Sequence, residues 1–156
     1  MVRYSSIVLL MAGALLAGCG GPLGPLPGGK LSGQEVPVLD GWAGVTTADG
    51  IALETVDGQG KPHSVNTWAT IIDGAFYVPT SLILGAEDPN EREWVRNVLA
   101  NPMVRVRSGE RVYPGAMRRV TDAALAAAAK AQLLAAYEEA PTEHSEAAWV
   151  FQVVAR

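Results

Sequence analysis

Cysteine occurs once in the 156 residues and histidine twice. A lone thiol excludes an intramolecular disulfide, so stability must come from the core. His63 and His144 have no metal-ligand spacing, and no metal is expected. No Ser-His-Asp order, paired carboxylates or reactive thiol stands out, which leaves no side chain with an evident catalytic role. Basic charge is also scarce, with 12 Lys and Arg against 16 Asp and Glu and a formal net charge of −4. That balance argues against nucleic acid as a partner. No strand runs repeatedly into a glycine-rich turn and a helix, so a parallel dinucleotide-binding sheet is disfavoured.

A long apolar run occurs only at the N-terminus. Arg3 precedes apolar residues 7–16, and Ala17, Gly18, Cys19, Gly20, Gly21 and Pro22 then end the run. A spanning helix needs about 20 apolar residues, so residues 1–18 read as an export signal peptide. Leu16-Ala17-Gly18-Cys19 resembles the lipobox of bacterial lipoproteins. The resemblance implies diacylglycerol on the Cys19 thiol, a membrane partner through that lipid, and residence in the cell envelope. Gly20 is not the aspartate that retains many lipoproteins at the inner membrane, so outer-membrane residence facing the periplasm follows in a host with two membranes. There is no twin-arginine pair, so export of an unfolded chain is expected, with any cofactor acquired outside the cytoplasm.

Residues 19–33 are rich in Gly and Pro and nearly uncharged. They are expected to form a flexible tether with no face to bury, which lifts a domain of residues 34–156 clear of the headgroups. That domain is expected to fold without the tether.

From Ile51 to Val56 residues alternate at strand period, and Asp57-Gly58-Gln59-Gly60 supplies a turn. A strand over 63–72 follows, Asp73-Gly74 is a hairpin signal, and a third strand covers 75–79. Asp88-Pro89-Asn90-Glu91 reads as a capped helix start, with Trp94, Val95, Val98 and Leu99 as the apolar stripe and Asn101-Pro102 as the stop. Strands over 103–107 and 112–120 come next. Thr121-Asp122 caps an alanine-rich helix running to Pro141, and a strand over 148–155 closes the chain. Many short strands with two helices inserted favour an α+β fold with a closed or partly closed barrel, which removes exposed edges.

Gly60-Lys61-Pro62, Trp68, the Asp-Gly hairpin, the run from Trp94 through Asn101-Pro102 to Val106, and then Gly109, Tyr113, Arg118 and Thr121-Asp122 together resemble the split β-barrel flavoproteins. The branch most similar is the deazaflavin-dependent nitroreductase and quinone reductase group of the pyridoxamine-phosphate-oxidase-like superfamily. The resemblance covers about residues 50–122. It implies a six-stranded antiparallel split barrel and a planar, phosphate-bearing cofactor, FMN or a deazaflavin, whose phosphate lies against the Gly-Lys-Pro turn. Chemistry would be hydride transfer from the reduced cofactor. The sequence departs from that pattern at Asp57, Gly58 and Gln59, where the relatives carry basic and hydroxyl residues, and at His63, where they carry arginine.

Lys61, His63, Arg105 and Arg107 are the candidate cofactor contacts. Seven arginines lie between Arg92 and Arg119, and Arg105 and Arg107 share one strand face opposite Val104 and Val106. That face is either an anion-binding wall or a solvated outer surface. Arg92 and Arg96 are expected to face water. Trp68, Trp94 and Trp149 read as core, and Tyr77 and Tyr113 as pocket edge. Two functions remain open: a lipid-anchored oxidoreductase, or a non-catalytic envelope lipoprotein, without cofactor, whose barrel binds a small ligand or a protein. A homodimer is also left open.

Overall fold

The structure, a computed structural model, describes residues 20–39, 41–42, 44–80, 88–136 and 147–156. The signal segment and Cys19 lie outside the described residues, as does His144. After β1 (Gln34–Glu35), β2 (Ile51–Val56) and β3 (Pro62–Thr67) pair antiparallel, as do β4 (Thr70–Ile72) and β5 (Ala75–Pro79). The β4–β5 turn has left-handed φ at both Asp73 (50°) and Gly74 (75°), the geometry that a two-residue hairpin loop requires.

Asp88 accepts from the Asn90 amide and caps a short 3-10 turn at Pro89–Glu91. Extended backbone at Arg92 separates this turn from α1 (Glu93–Ala100), so the expected single helix is two pieces. Its buried stripe is Trp94, Val95, Asn97 and Val98, whereas Leu99 is exposed. The chain continues through β6 (Met103–Ser108), β7 (Arg111–Arg119), α2 (Ala123–Ala136) and β8 (Val150–Ala155). Asp122 caps α2 by accepting from the Leu125 amide at 2.9 Å.

The strand order is β3-β2-β6-β7-β8-β5-β4, antiparallel throughout, with β1 added to β7 in parallel. The strand expected over 63–72 is therefore two. A break at Trp68 and Ala69 sends its first half to one edge of the sheet and its second half to the other. Because those halves are consecutive in the chain, the bent strand closes the sheet on itself, and with it counted once six main strands form the barrel. Leu53, Val106, Phe76, Val78 and Phe151 fill the interior, and Val95 and Trp94 of α1 pack onto them. Trp42 belongs to this core too, 4.8 Å from the Phe76 ring and 5.9 Å from that of Tyr113. On the outside, Ala129 of α2 packs on Tyr77 and Val150.

The Gly/Pro-rich segment is not a free tether from Gly20 onward. Leu31 is 2% exposed and packs on Ala52 and Val112. Gly28 and Ser64 exchange backbone hydrogen bonds, each at 2.8 Å. A Cβ at Gly28 would stand 2.4 Å from the Gly21 carbonyl carbon, so only glycine permits this approach. Leu31 and the Gly28 backbone lay the segment on the outer face of the sheet, where a free strand edge and a small apolar patch receive it.

Candidate functional site

The β2–β3 turn is organised by Asp57. Its carboxylate accepts from the amides of Gln59 and Lys61, both at 2.8 Å, while its own amide donates to the Lys61 carbonyl. These amides, Lys61 first and Gln59 second, hold the Asp57 carboxyl below its ordinary pKa. Asp57 therefore shapes the turn, and it does so by occupying backbone donors that could otherwise face an anion. Positions Gly58 and Gly60 open onto empty space, and Lys61 beside them is exposed.

His63 follows on β3 with its side chain 14% exposed, and its Nε2 lies 3.5 Å from a carboxylate oxygen of Glu93 on α1. Four residues on, and so on the same helix face, Asn97 donates to the Thr55 hydroxyl at 3.1 Å, and that hydroxyl donates to the His63 carbonyl at 3.3 Å. Asn97 and Thr55 are both buried. Thus α1 is tied to β2 and β3 at the root of the turn by a polar pair that the sequence reading missed. His63 Nδ1 is buried with no hydrogen-bond partner among the described residues. An unsatisfied buried polar atom costs about 1–3 kcal/mol, so a polar group that reaches it would be stabilised.

Arg105 is elsewhere and is already engaged. Its Nη1 is 2.8 Å from Glu54 and its Nη2 3.2 Å from Glu35, and Nη1 also donates to the Leu31 carbonyl at 3.3 Å. Glu54, 5% exposed, accepts in addition from the Leu31 amide. Arg107 points to the same outer face, where its guanidinium lies against Gly21. Register explains the separation: Glu54 pairs with Arg105 across the sheet, whereas His63 pairs with Thr55, one residue along β2 and on its other side. Lys61 and His63 are brought together; Arg105 and Arg107 are not brought to them.

Other arginines of the window have structural work as well. Arg96 donates to the Asn90 and Glu91 carbonyls at 2.7 and 3.0 Å, so it ties down the end of the 3-10 turn instead of simply facing water. Arg118 binds Gln152 across strands, and Arg119 lies 3.7 Å over the Trp149 ring. Tyr77 and Tyr113, expected at a pocket edge, are core residues. Both sit on strand faces that α2 or Trp42 covers, which alternation alone did not show. Among the described residues no group of three His, Cys, Asp or Glu is placed to hold a metal, and no helix is long and apolar enough to cross a membrane.

Residues 43–146 match the F420H(2)-dependent quinone reductase family. Among solved structures, a conserved hypothetical protein from Mycobacterium tuberculosis is 16% identical, with a TM-score of 0.52 over 76% of this chain and 86% of that one. A structure described as an F420 reductase is 19% identical, with a TM-score of 0.52 over 76% and 96% of the two chains. The heme storage protein HutZ from Vibrio cholerae is 19% identical, with a TM-score of 0.53 over 68% and 80%. At such identities the structural likeness shows a shared split-barrel fold. No curated protein matches the sequence.

Proposed function

The chain belongs to the F420H(2)-dependent quinone reductase family, a family of deazaflavin-using oxidoreductases, and from that premise we propose that it is a deazaflavin-dependent reductase held at the cell envelope by lipid on Cys19. The observation that carries the reading is the β2–β3 turn. There an exposed Lys61 and open space over Gly58 and Gly60 adjoin the buried, unpartnered Nδ1 of His63. These groups fit a phosphate-bearing planar ligand. Lys61 would supply the cation for the phosphate, and His63, braced by Glu93, would meet a polar atom further in. The Asn97–Thr55 pair would keep α1 fixed over the turn. When bound, a reduced deazaflavin supplies a hydride, which a quinone-class acceptor takes up with a proton to give the hydroquinone. Arg105 and Arg107 hold no cofactor in this reading.

One feature favours a second reading, a ligand-binding barrel without cofactor. Asp57 occupies the amides of Gln59 and Lys61, so those two backbone donors do not face a phosphate. Titration of the full mature protein with a deazaflavin and with FMN, followed by visible absorption, separates the two. The reductase reading expects saturable binding of the deazaflavin, weakened about tenfold or more by Lys61→Ala through loss of a charge-assisted contact, with the melting temperature unchanged. Arg105→Ala should leave the affinity unchanged. Absence of saturation at about 100 μM, an affinity weaker than about −5.5 kcal/mol, would overturn the reductase reading and favour the second.

A further inference from the structure

Leu23 and Leu26 face each other across a tight turn, each amide donating to the other's carbonyl at 3.1 and 3.0 Å. Gly24 between them has φ +54°. The leucines are 77% and 66% exposed, an apolar pair held at a tip where neither can reach the core. This tip does not hang on a loose chain. Asn66 of β3 donates to the Gly24 carbonyl at 3.0 Å, Gly28 pairs with Ser64 of the same strand, and the Gly29 amide donates to the Gly20 carbonyl at 2.9 Å. Gly20, the residue after Cys19, is thereby pinned to the outer face of β3 along with the leucines. Residues 20–33 contain no carboxylate, and Lys30 is exposed, so nothing in the segment opposes an anionic surface.

We propose that the Leu23–Leu26 turn is a membrane-docking tip that seats in the interfacial layer of the bilayer, beside the acyl chains on Cys19, and fixes how the barrel stands on the membrane. The proposal rests on the lipid-anchor reading. With Gly20 fixed to the barrel, an acylated neighbour brings β3's outer face down to the headgroups, and the two leucines are what that face presents. Helix α1 lies on the other side of the same strands, since Asn97 reaches Thr55 while Leu31 reaches Glu54. Leu99 on α1, also exposed, therefore stays in water.

The test uses the full-length gene product, purified from membranes in detergent and reconstituted into phosphatidylcholine and phosphatidylglycerol vesicles containing headgroup-proximal brominated lipid. Leu23→Trp, Leu26→Trp and Leu99→Trp are compared with wild type, and the mass of the N-terminal peptide reports acylation of Cys19. Tryptophan at 23 and at 26 should be quenched at least about twofold more than tryptophan at 99. An acylated protein with no added quenching at 23 and 26, or with equal quenching at 99, overturns the docking tip and leaves the lipid anchor standing. An unmodified Cys19 overturns the lipid anchor, and quenching of the same variants added to vesicles still decides the tip.

Discussion

Along β2, Glu54 turns toward the N-terminal segment and its neighbour Thr55 turns toward α1, and the two sides are held by different means. On the first, a carboxylate that is 5% exposed is neutralised by Arg105, with Leu31 sealing the patch from water. On the second, uncharged groups bridge helix and strands, and the charged members, Lys61 and Glu93, stay at the solvent margin. An arginine covered by chain more than seventy residues away is a structural cation, and a lysine left at an open turn is available to a ligand. Residue type does not separate these roles; whatever covers the face does.

Arg105→Ala should break the first side most severely. It leaves Glu54 buried with the Leu31 amide but no cation, and removing one partner of a buried pair costs 3–5 kcal/mol. Because the Arg105 side chain is 21% exposed, the lower end, about 3 kcal/mol, is expected. Glu35, 59% exposed, should contribute no more than about 1 kcal/mol when changed to alanine. Urea denaturation measures both, and a loss under about 1 kcal/mol for Arg105→Ala would mean that solvent already screens the pair.

Leu31→Ala comes next, at about 2–3 kcal/mol, the cost of a cavity at a buried leucine. A free tether residue would cost nothing, so an unchanged melting temperature would return the segment to the status of a linker. On the other side of β2, Asn97→Ala should lose about 1–2 kcal/mol. Combining it with Thr55→Val should cost less than the sum of the two single changes, because each change already removes the bond they share. Strict additivity in that cycle would show that the bond contributes nothing.

Asp57 should give the smallest effect. Its carboxyl is depressed in the folded protein, so its contribution to stability is present above the ordinary carboxylate range and is lost as the pH falls through the lowered value. Asn at 57 can still accept the two amides but cannot titrate. Melting temperatures from about pH 5 to about pH 2 should therefore fall less steeply for Asp57→Asn than for wild type. Parallel curves would assign the acid sensitivity to other carboxylates.

What the sequence made legible was local. Alternation from Ile51 to Val56, the Asp73-Gly74 turn and the Asp88 and Asp122 caps depend on residues a few positions apart, and each is where it was expected. The break at Trp68-Ala69 was not legible, because it is imposed by the two distant edges that the strand must reach. Nor was the packing of residues 20–33, whose single buried leucine offers no period to read. A signal did exist in Glu54, a carboxylate among Ile51, Ala52, Leu53 and Val56, for which a buried partner could have been sought. At the candidate site the turn lysine and histidine were legible as types. Their separation from Arg105 and Arg107 was not, because it depends on strand register.

The last of the described strands, β8, is also a central one, flanked by β7 and β5. A chain made N-terminus first thus carries β3-β2-β6-β7 and β5-β4 as two half-sheets whose inner edges stay bare until Val150–Ala155 emerges. Stalled or prematurely terminated products keep both edges available for pairing with other chains, which makes them the aggregation-prone species of this protein. Addition of Val150–Ala155, which follows every other described strand, is what joins the two half-sheets into one barrel.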